Sequence, residues 1–248
     1  MGYVGAFLAT GFIFGPVVGG YLAAHSLPLP FLAAGIVAFL NFLLVINFLV
    51  ESVKEKSKKQ ISVKLIFSPI QRIWHGALSP LAPLFIISMF WSFALSNNQV
   101  AVPILSIEKL HLNSEHIGLM FTVIGSVSAF TQFFLLSKIT KFFGQRVTAI
   151  GGLSIMALAF TMMPFMPSTQ FLYLAAAIAG LGSATTNPVV NAILSKETKE
   201  QQGITMGTAT SFESLGRLLG PLLGGALLTF GIFVPFLASG FIIATVVF

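Results

Sequence analysis

Eight apolar stretches, most of them long enough to cross a bilayer, occupy nearly all of this chain of 248 residues. They run roughly over 2–24, 29–50, 80–104, 116–137, 147–166, 170–194, 204–230 and 232–248. About 20 apolar residues in a helix span the hydrocarbon core, and seven of the stretches reach that length. Inside lipid each backbone N–H and C=O needs a partner within the protein, which leaves helices or closed barrels. A barrel would show alternating strands of about ten residues; these unbroken runs read as helices. The expectation is an all-α integral membrane chain of eight transmembrane helices. Charged residues make up 8% of the chain, against about 25% in a soluble domain, too few to coat a water-soluble exterior of this size.

The connections alternate in charge. His25 to Pro30 has no Lys or Arg, and the next loop has Lys54, Lys56, Lys58, Lys59, Lys64 and Arg72. Lys109 follows alone beside Glu108 and Glu115, then Lys138, Lys141 and Arg146, then none over Met163–Gln170, then Lys196 and Lys199, then none near Phe230–Pro235. Every second loop is basic, and basic loops stay in the cytoplasm, so both chain ends are expected there, in a multi-pass protein of the cell membrane. The net charge of +6 thus reads as topology, with lipid and not nucleic acid as the partner. Within 51–79 the first part reads as a solvated linker. Ile61–Trp74 reads either as a surface helix or as a simple entry to the next span. Without cysteine, disulfides, thiol nucleophiles and zinc-finger spacings are excluded. His25, His75, His111 and His116 fall at loops or span ends and read as surface residues. No P-loop, metal-spaced cluster or nucleophile–base pair stands out, so neither an enzyme nor a cofactor or metal is expected.

An internal repeat carries more information. The first span contains Gly2, Gly11, Gly15, Pro16, Gly19 and Gly20, and the seventh contains Gly207, Gly216, Gly220, Pro221, Gly224 and Gly225, all at one offset of 205 (207 − 2). The same offset relates Pro30–Gly35 to Pro235–Gly240. Spans one and two therefore recur as spans seven and eight. Glycines four apart form one smooth helix face against which a neighbour can pack closely. Pro16 and Pro221 each remove a helical hydrogen bond and permit a bend.

This glycine–proline pattern resembles the antiporter motif that drug–proton exporters of the major facilitator type carry in their fifth helix, with a degenerate copy in the eleventh. The four intervening spans and one long basic loop match helices five and eleven of twelve. The resemblance covers the whole chain as helices five to twelve. It implies a partial major facilitator fold of two incomplete pseudo-symmetric bundles. On that reading, 1–50 holds the last two helices of the amino-terminal bundle, 51–79 is a basic cytoplasmic linker and 80–248 forms the six-helix carboxy-terminal bundle. Ser137–Arg146 resembles a second, loop motif of the family: Gly144 and Arg146 fit, while Lys141 stands at its acidic position. A missing four-helix amino-terminal segment is expected, with the chain truncated or split.

Two charged side chains lie deep in the spans, Glu213 and Arg217. Four apart on one helix, they share a face and can pair. The pair reads either as a device that orients the helix or as a proton- or substrate-facing site. The resemblance further implies that spans 80–104 and 170–194 line a central cavity. Trp91, Asn97, Asn98 and Gln99 on the first, and Asn187 and Asn191 on the second, are then candidates for a substrate or proton pathway, together with Thr185, Thr186 and, on the span between, Gln132. Buried amides in lipid need protein or water partners, so interhelical hydrogen bonding is their other reading. The family implies transport of a small molecule by alternating access, with proton-coupled drug or metabolite efflux as the expected function. The alternative is a non-transporting membrane subunit packed against a partner chain.

Overall fold

The computed structural model describes residues 2–48, 73, 76–197 and 202–247. Most of the linker 51–79, including the Ile61–Trp74 segment, lies outside the described residues. The described chain forms eight helical rods and no strand. They are α1 (Gly2–His25), α2 (Leu29–Phe48), α3 (Ala82–Leu110), a rod composed of α4 (Ser114–Phe130), a π turn (Thr131–Leu135) and α5 (Leu136–Phe143), then α6 (Gln145–Met162), α7 (Thr169–Glu197), α8 (Gln202–Leu228) and α9 (Val234–Val247).

Three boundaries differ usefully from the sequence expectation. The third span continues seven residues past Pro103 to Leu110. It ends at His111, whose left-handed backbone (φ 51°) lets its N–H bond to the carbonyl of Ile107, a common helix terminator. The basic stretch at Lys138 and Lys141 is helical, because the rod runs on through α5. Its end is Gly144, where φ is +80°, a conformation that costs glycine nothing. At the other end of that rod the Asn113 side chain accepts from the His116 N–H at 3.1 Å, an N-cap.

The packing separates six rods from two. The α3–α8 contact is the most extensive, followed by α6–α7, while α9 bridges α6 and α3, and α4 lies along α7. Leu105, Leu153, Met156, Phe160, Leu172 and Phe236 form a buried core within this group. A second cluster at Phe85, Val190, Leu194 and Phe212 fills the other end. The remaining hairpin, α1–α2, is attached through α1 against α4. No residue of α2 is buried, and Phe31 is 79% exposed. A helix this apolar with no protein around it belongs in lipid or against another segment.

Glycine contacts mark the crossings. Gly180 meets α4, where its carbonyl accepts from Ser128 Oγ at 2.9 Å. A Cβ on Gly182 would stand 2.6 Å from the Gly152 carbonyl of α6. At the end of the bundle formed by the loops after α3, α6 and α8, Lys109 Nζ donates to the carbonyls of Pro164 (2.7 Å) and Met166 (3.1 Å). It also lies 5.7 Å from the Phe233 ring. One ammonium therefore ties three connections together.

Candidate functional site

The two copies of the glycine motif have different surroundings. On α8 the stripe is pressed against α3. A Cβ on Gly220 would fall 2.7 Å from the Phe93 carbonyl oxygen and 2.9 Å from the Asn97 N. Gly216 meets the Met89 carbonyl and Gly224 meets the Asn97 side chain in the same way. On α1 a Cβ at Gly11, Gly15 or Gly19 would meet nothing within 4 Å. Gly20, one position off that stripe, makes the crossing with α4 instead: its Cβ would lie 3.0 Å from Gly118 Cα. Nearby, Thr122 Oγ1 bonds the Ile13 carbonyl at 3.2 Å. Among the described residues the stripe of α1 is thus an open face with the same glycine spacing as a filled one.

The deep polar residues fall into two groups. Asn97, fully buried on α3, points toward α9. Its Nδ2 donates to the Pro235 carbonyl (2.7 Å) and to Ser239 Oγ (2.5 Å). It thus joins α3, α8 and α9 at one point, because its Oδ1 also lies against Gly224. Interhelical hydrogen bonds in lipid average ~0.6 kcal/mol and reach ~1.7. Asn97→Leu is therefore expected to lower stability by about 1–3 kcal/mol, losing two such bonds and forcing a branched chain against Gly224. Reversible unfolding in mixed micelles measures this, and an unchanged midpoint would contradict the anchoring role. Asn98 is buried too and donates to the Ala94 carbonyl at 2.8 Å. Trp91 is half-buried, and its Nε1 has no partner among the described residues. Gln99 and Gln132 are exposed, the latter inside the π turn, a helix distortion that frequently marks functional positions.

The second group is a continuous polar chain between α7 and α8. Asn191 Nδ2 donates to Asn187 Oδ1 at 2.9 Å. Asn187 Nδ2 donates to Glu213 Oε1 at 2.9 Å. Arg217 donates through a guanidinium nitrogen to Glu213 Oε2 at 3.2 Å. Sequence spacing anticipated the Glu213–Arg217 pair, but nothing in it placed Asn187 on the same carboxylate 26 residues away. Thr185 and Thr186 are buried and turn back on their own helix, bonding the Gly182 carbonyl. The acid is shielded, with its side chain 13% exposed, while the guanidinium is 59% exposed.

That asymmetry limits what the ion pair is for. An exposed i,i+4 pair on a helix stabilises by only ~0.3–0.5 kcal/mol. An arginine held in the hydrocarbon would cost at least ~2.5–3.5 kcal/mol. The pair cannot offset that cost, so the open side of Arg217 needs water or another polar segment.

The arrangement of rods, glycine crossings and polar chain has a counterpart among known proteins. Residues 84–248 match the family model described as Major Facilitator Superfamily. The chain belongs to that superfamily. Multidrug resistance protein 2 of Bacillus subtilis (strain 168) is 28% identical to this major facilitator chain over 250 residues, covering 98% of the chain and 61% of that protein. Multidrug resistance protein 1 of the same organism is 29% identical, covering 95% and 59% respectively. Quinolone resistance protein NorA of Staphylococcus aureus (strain Mu50 / ATCC 700699) is 26% identical, covering 99% and 62%. The chain spans about three-fifths of the length of these curated relatives. Its fold is all-α and of the partial major facilitator kind that the glycine repeat implied.

Proposed function

We propose that this chain supplies helices five to twelve of a small-molecule exporter that works by alternating access and is driven by protons. The observation that carries the reading is the Asn191–Asn187–Glu213–Arg217 chain, a titratable carboxyl joined across two helices to an arginine with an open face. Ionisable residues inside membranes mark ion and substrate pathways by default. Glu213 is the proton-responsive group, and Arg217 faces the water of a central cavity. Gln99, on the exposed side of α3, and Asn187 with Asn191 contribute to the walls. Asn97, Asn98 and Trp91 act behind them as packing and positioning residues. The names of the relatives point to efflux of drugs as the class of cargo.

In the same reading, 80–248 is the carboxy-terminal bundle, 1–50 belongs to the amino-terminal one, 51–79 links them, and both ends of the chain lie in the cytoplasm. The open stripe of α1 supports a further segment. By the repeat, its place corresponds to that of α3 on α8, so a helix from a four-helix segment outside this chain packs on Gly11, Gly15 and Gly19. The alternative, a subunit that only packs with a partner, shares that face and differs in having no transport.

Accumulation of ethidium in cells stripped of their own exporters separates these readings. The chain is expressed alone, or joined to the part of Multidrug resistance protein 2 that lies outside the match. The joined protein is expected to lower ethidium accumulation, and a protonophore to abolish that effect. No lowering with a correctly inserted joined protein would favour the packing subunit. Lowering that survives the protonophore would remove proton coupling.

A further inference from the structure

Arg217 lies near the middle of α8 and is the more exposed member of its ion pair. A guanidinium carries several N–H donors, and the bond to Glu213 Oε2 at 3.2 Å uses a single nitrogen. Thr210 and Ser214, on the same face of α8, are exposed as well. Their hydroxyls donate to the Met206 carbonyl at 2.9 Å and the Thr210 carbonyl at 2.8 Å, which leaves the hydroxyl oxygens able to accept. A polar, charged face in the middle of a membrane helix belongs beside water or a polar solute.

Glu213 is held differently. Its Oε1 accepts from Asn187 Nδ2, and Asn191 donates to Asn187 Oδ1. Asn191 thereby turns the Asn187 amide so that its N–H group faces the acid. The carboxylate is anchored without help from Arg217, whose long, exposed side chain can swing out. Among the described residues, the helices packed on α8 bring no further charge to the middle of the membrane. Glu108 and Lys109 stand at the outer end of α3, Tyr173 at the outer end of α7, and Lys196 and Glu197 at its inner end; α9 has no ionisable side chain.

The Glu213–Arg217 unit is therefore neutral, and that decides what can join it. A lone anion on Arg217 leaves one negative charge in excess. A lone cation on Glu213 leaves one positive charge. Uncompensated charge inside the membrane is costly. A carboxylate supplied by a partner helix fails on the same count. A ligand that brings one charge of each sign leaves the unit neutral.

We propose, on the reading of this polar chain as a transport site, that it binds a compact zwitterion, with a carboxylate and a protonated amine on the same or adjacent carbons. The carboxylate accepts from two nitrogens of Arg217, the paired geometry that a guanidinium favours. The amine donates to Glu213 Oε2 in place of Arg217. The compactness follows from the pair being parted, because two groups in direct contact on one helix turn admit a few atoms and not a long spacer. A proton on Glu213 takes the place of the amine, so proton and zwitterion compete, as exchange of one for the other requires. Asn187 and Asn191 are positioning residues that hold the acid while Arg217 moves.

Phenylalanine, phenethylamine and 3-phenylpropionate share one ring and are respectively a zwitterion, a cation and an anion at neutral pH. The chain, alone and joined as above, is purified in mild detergent, and binding of each radiolabelled compound is measured by equilibrium dialysis. Phenylalanine is expected to bind about tenfold or more tightly than either of the others, since each lacks one charge-assisted contact. Arg217→Gln is expected to bring phenylalanine down to the level of phenethylamine, and Glu213→Gln to the level of 3-phenylpropionate. Arg217→Gln alters an exposed side chain and retains the fold, so it tests the site even if the Glu213 variant is lost. Phenylalanine bound no better than either singly charged compound by both forms of the protein would overturn the proposal, as would unchanged phenylalanine binding in Arg217→Gln. So would an unfolding midpoint that Arg217→Gln lowers in the joined protein alone with no preference among the three compounds, the mark of a carboxylate on the added segment. Protonophore-sensitive ethidium efflux without the phenylalanine preference would remove the zwitterion site and keep the exporter. The preference without ethidium efflux would keep the site and remove the exporter of that cargo.

Discussion

Gly220→Leu is expected to leave almost no folded chain in the membrane, whereas Gly15→Leu, at the matching position of the repeat, is expected to be tolerated when the chain is expressed alone. The contrast follows from what each position faces. At Gly220 the atoms within 3 Å of a Cβ are the Phe93 carbonyl, Ser96 Cβ and the Asn97 N. Two of the three are backbone of a packed helix and cannot rotate away. Even Gly220→Ala forces α3 and α8 apart, at the ~1–3 kcal/mol that overpacking usually costs. The better helix propensity of alanine returns at most ~1 kcal/mol of this. Leucine adds three more carbons to the same collision and also separates Asn97 from Pro235 and Ser239. At Gly15 the propensity gain stands alone, since nothing lies within 4 Å. Monodisperse yield on size exclusion and the thermal unfolding midpoint in detergent measure the difference. Equal behaviour of the two variants would refute the α3–α8 crossing. Loss of the tolerance at Gly15 once an amino-terminal segment is joined would show that the stripe has been covered.

Glu213→Gln is expected to reduce gradient-driven efflux by the joined protein roughly tenfold or more, equivalent to at least ~1.4 kcal/mol in the coupled step. The protein should still fold. Glutamine keeps the shape and an oxygen for Asn187 Nδ2, so no buried donor is orphaned. Arg217, more than half exposed, loses a partner worth only a few tenths of a kcal/mol. Glu213→Leu differs, because it strands Asn187 and through it Asn191. An additional loss of about 1–3 kcal/mol in stability is expected there. Ethidium efflux in inverted vesicles with an imposed proton gradient measures the transport effect, and unfolding in mixed micelles the stability effect. Undiminished gradient-driven efflux in Glu213→Gln would assign coupling to another group and leave the polar chain a structural role.

Much of the architecture was legible without coordinates. Hydrocarbon allows few solutions, so run length and the scarcity of charge were enough for an all-α membrane chain. The identical spacing of Gly216, Gly220 and Gly224 with Gly11, Gly15 and Gly19 disclosed the repeat. The pairing of Glu213 with Arg217 followed from 3.6 residues per turn. All of these depend on local geometry or on solvent, and both are written along the chain.

Which neighbour each face meets is a different kind of information. Two stripes of the same spelling have opposite fates, one sealed against Phe93 and Asn97 and the other open. Asn97 read as either a cavity residue or an interhelical hydrogen-bonder, and the partner it meets is α9, while Asn187, 26 residues from Glu213, donates to its carboxylate. Lys138 and Lys141 looked like a loop and are helical. The chain's own sequence determined the solvent, the helices and the repeat, because hydrocarbon and helix pitch act on each segment separately. Tertiary structure alone decided the contacts, because which side chains meet depends on helix rotation and crossing, set by the joint packing of all the rods.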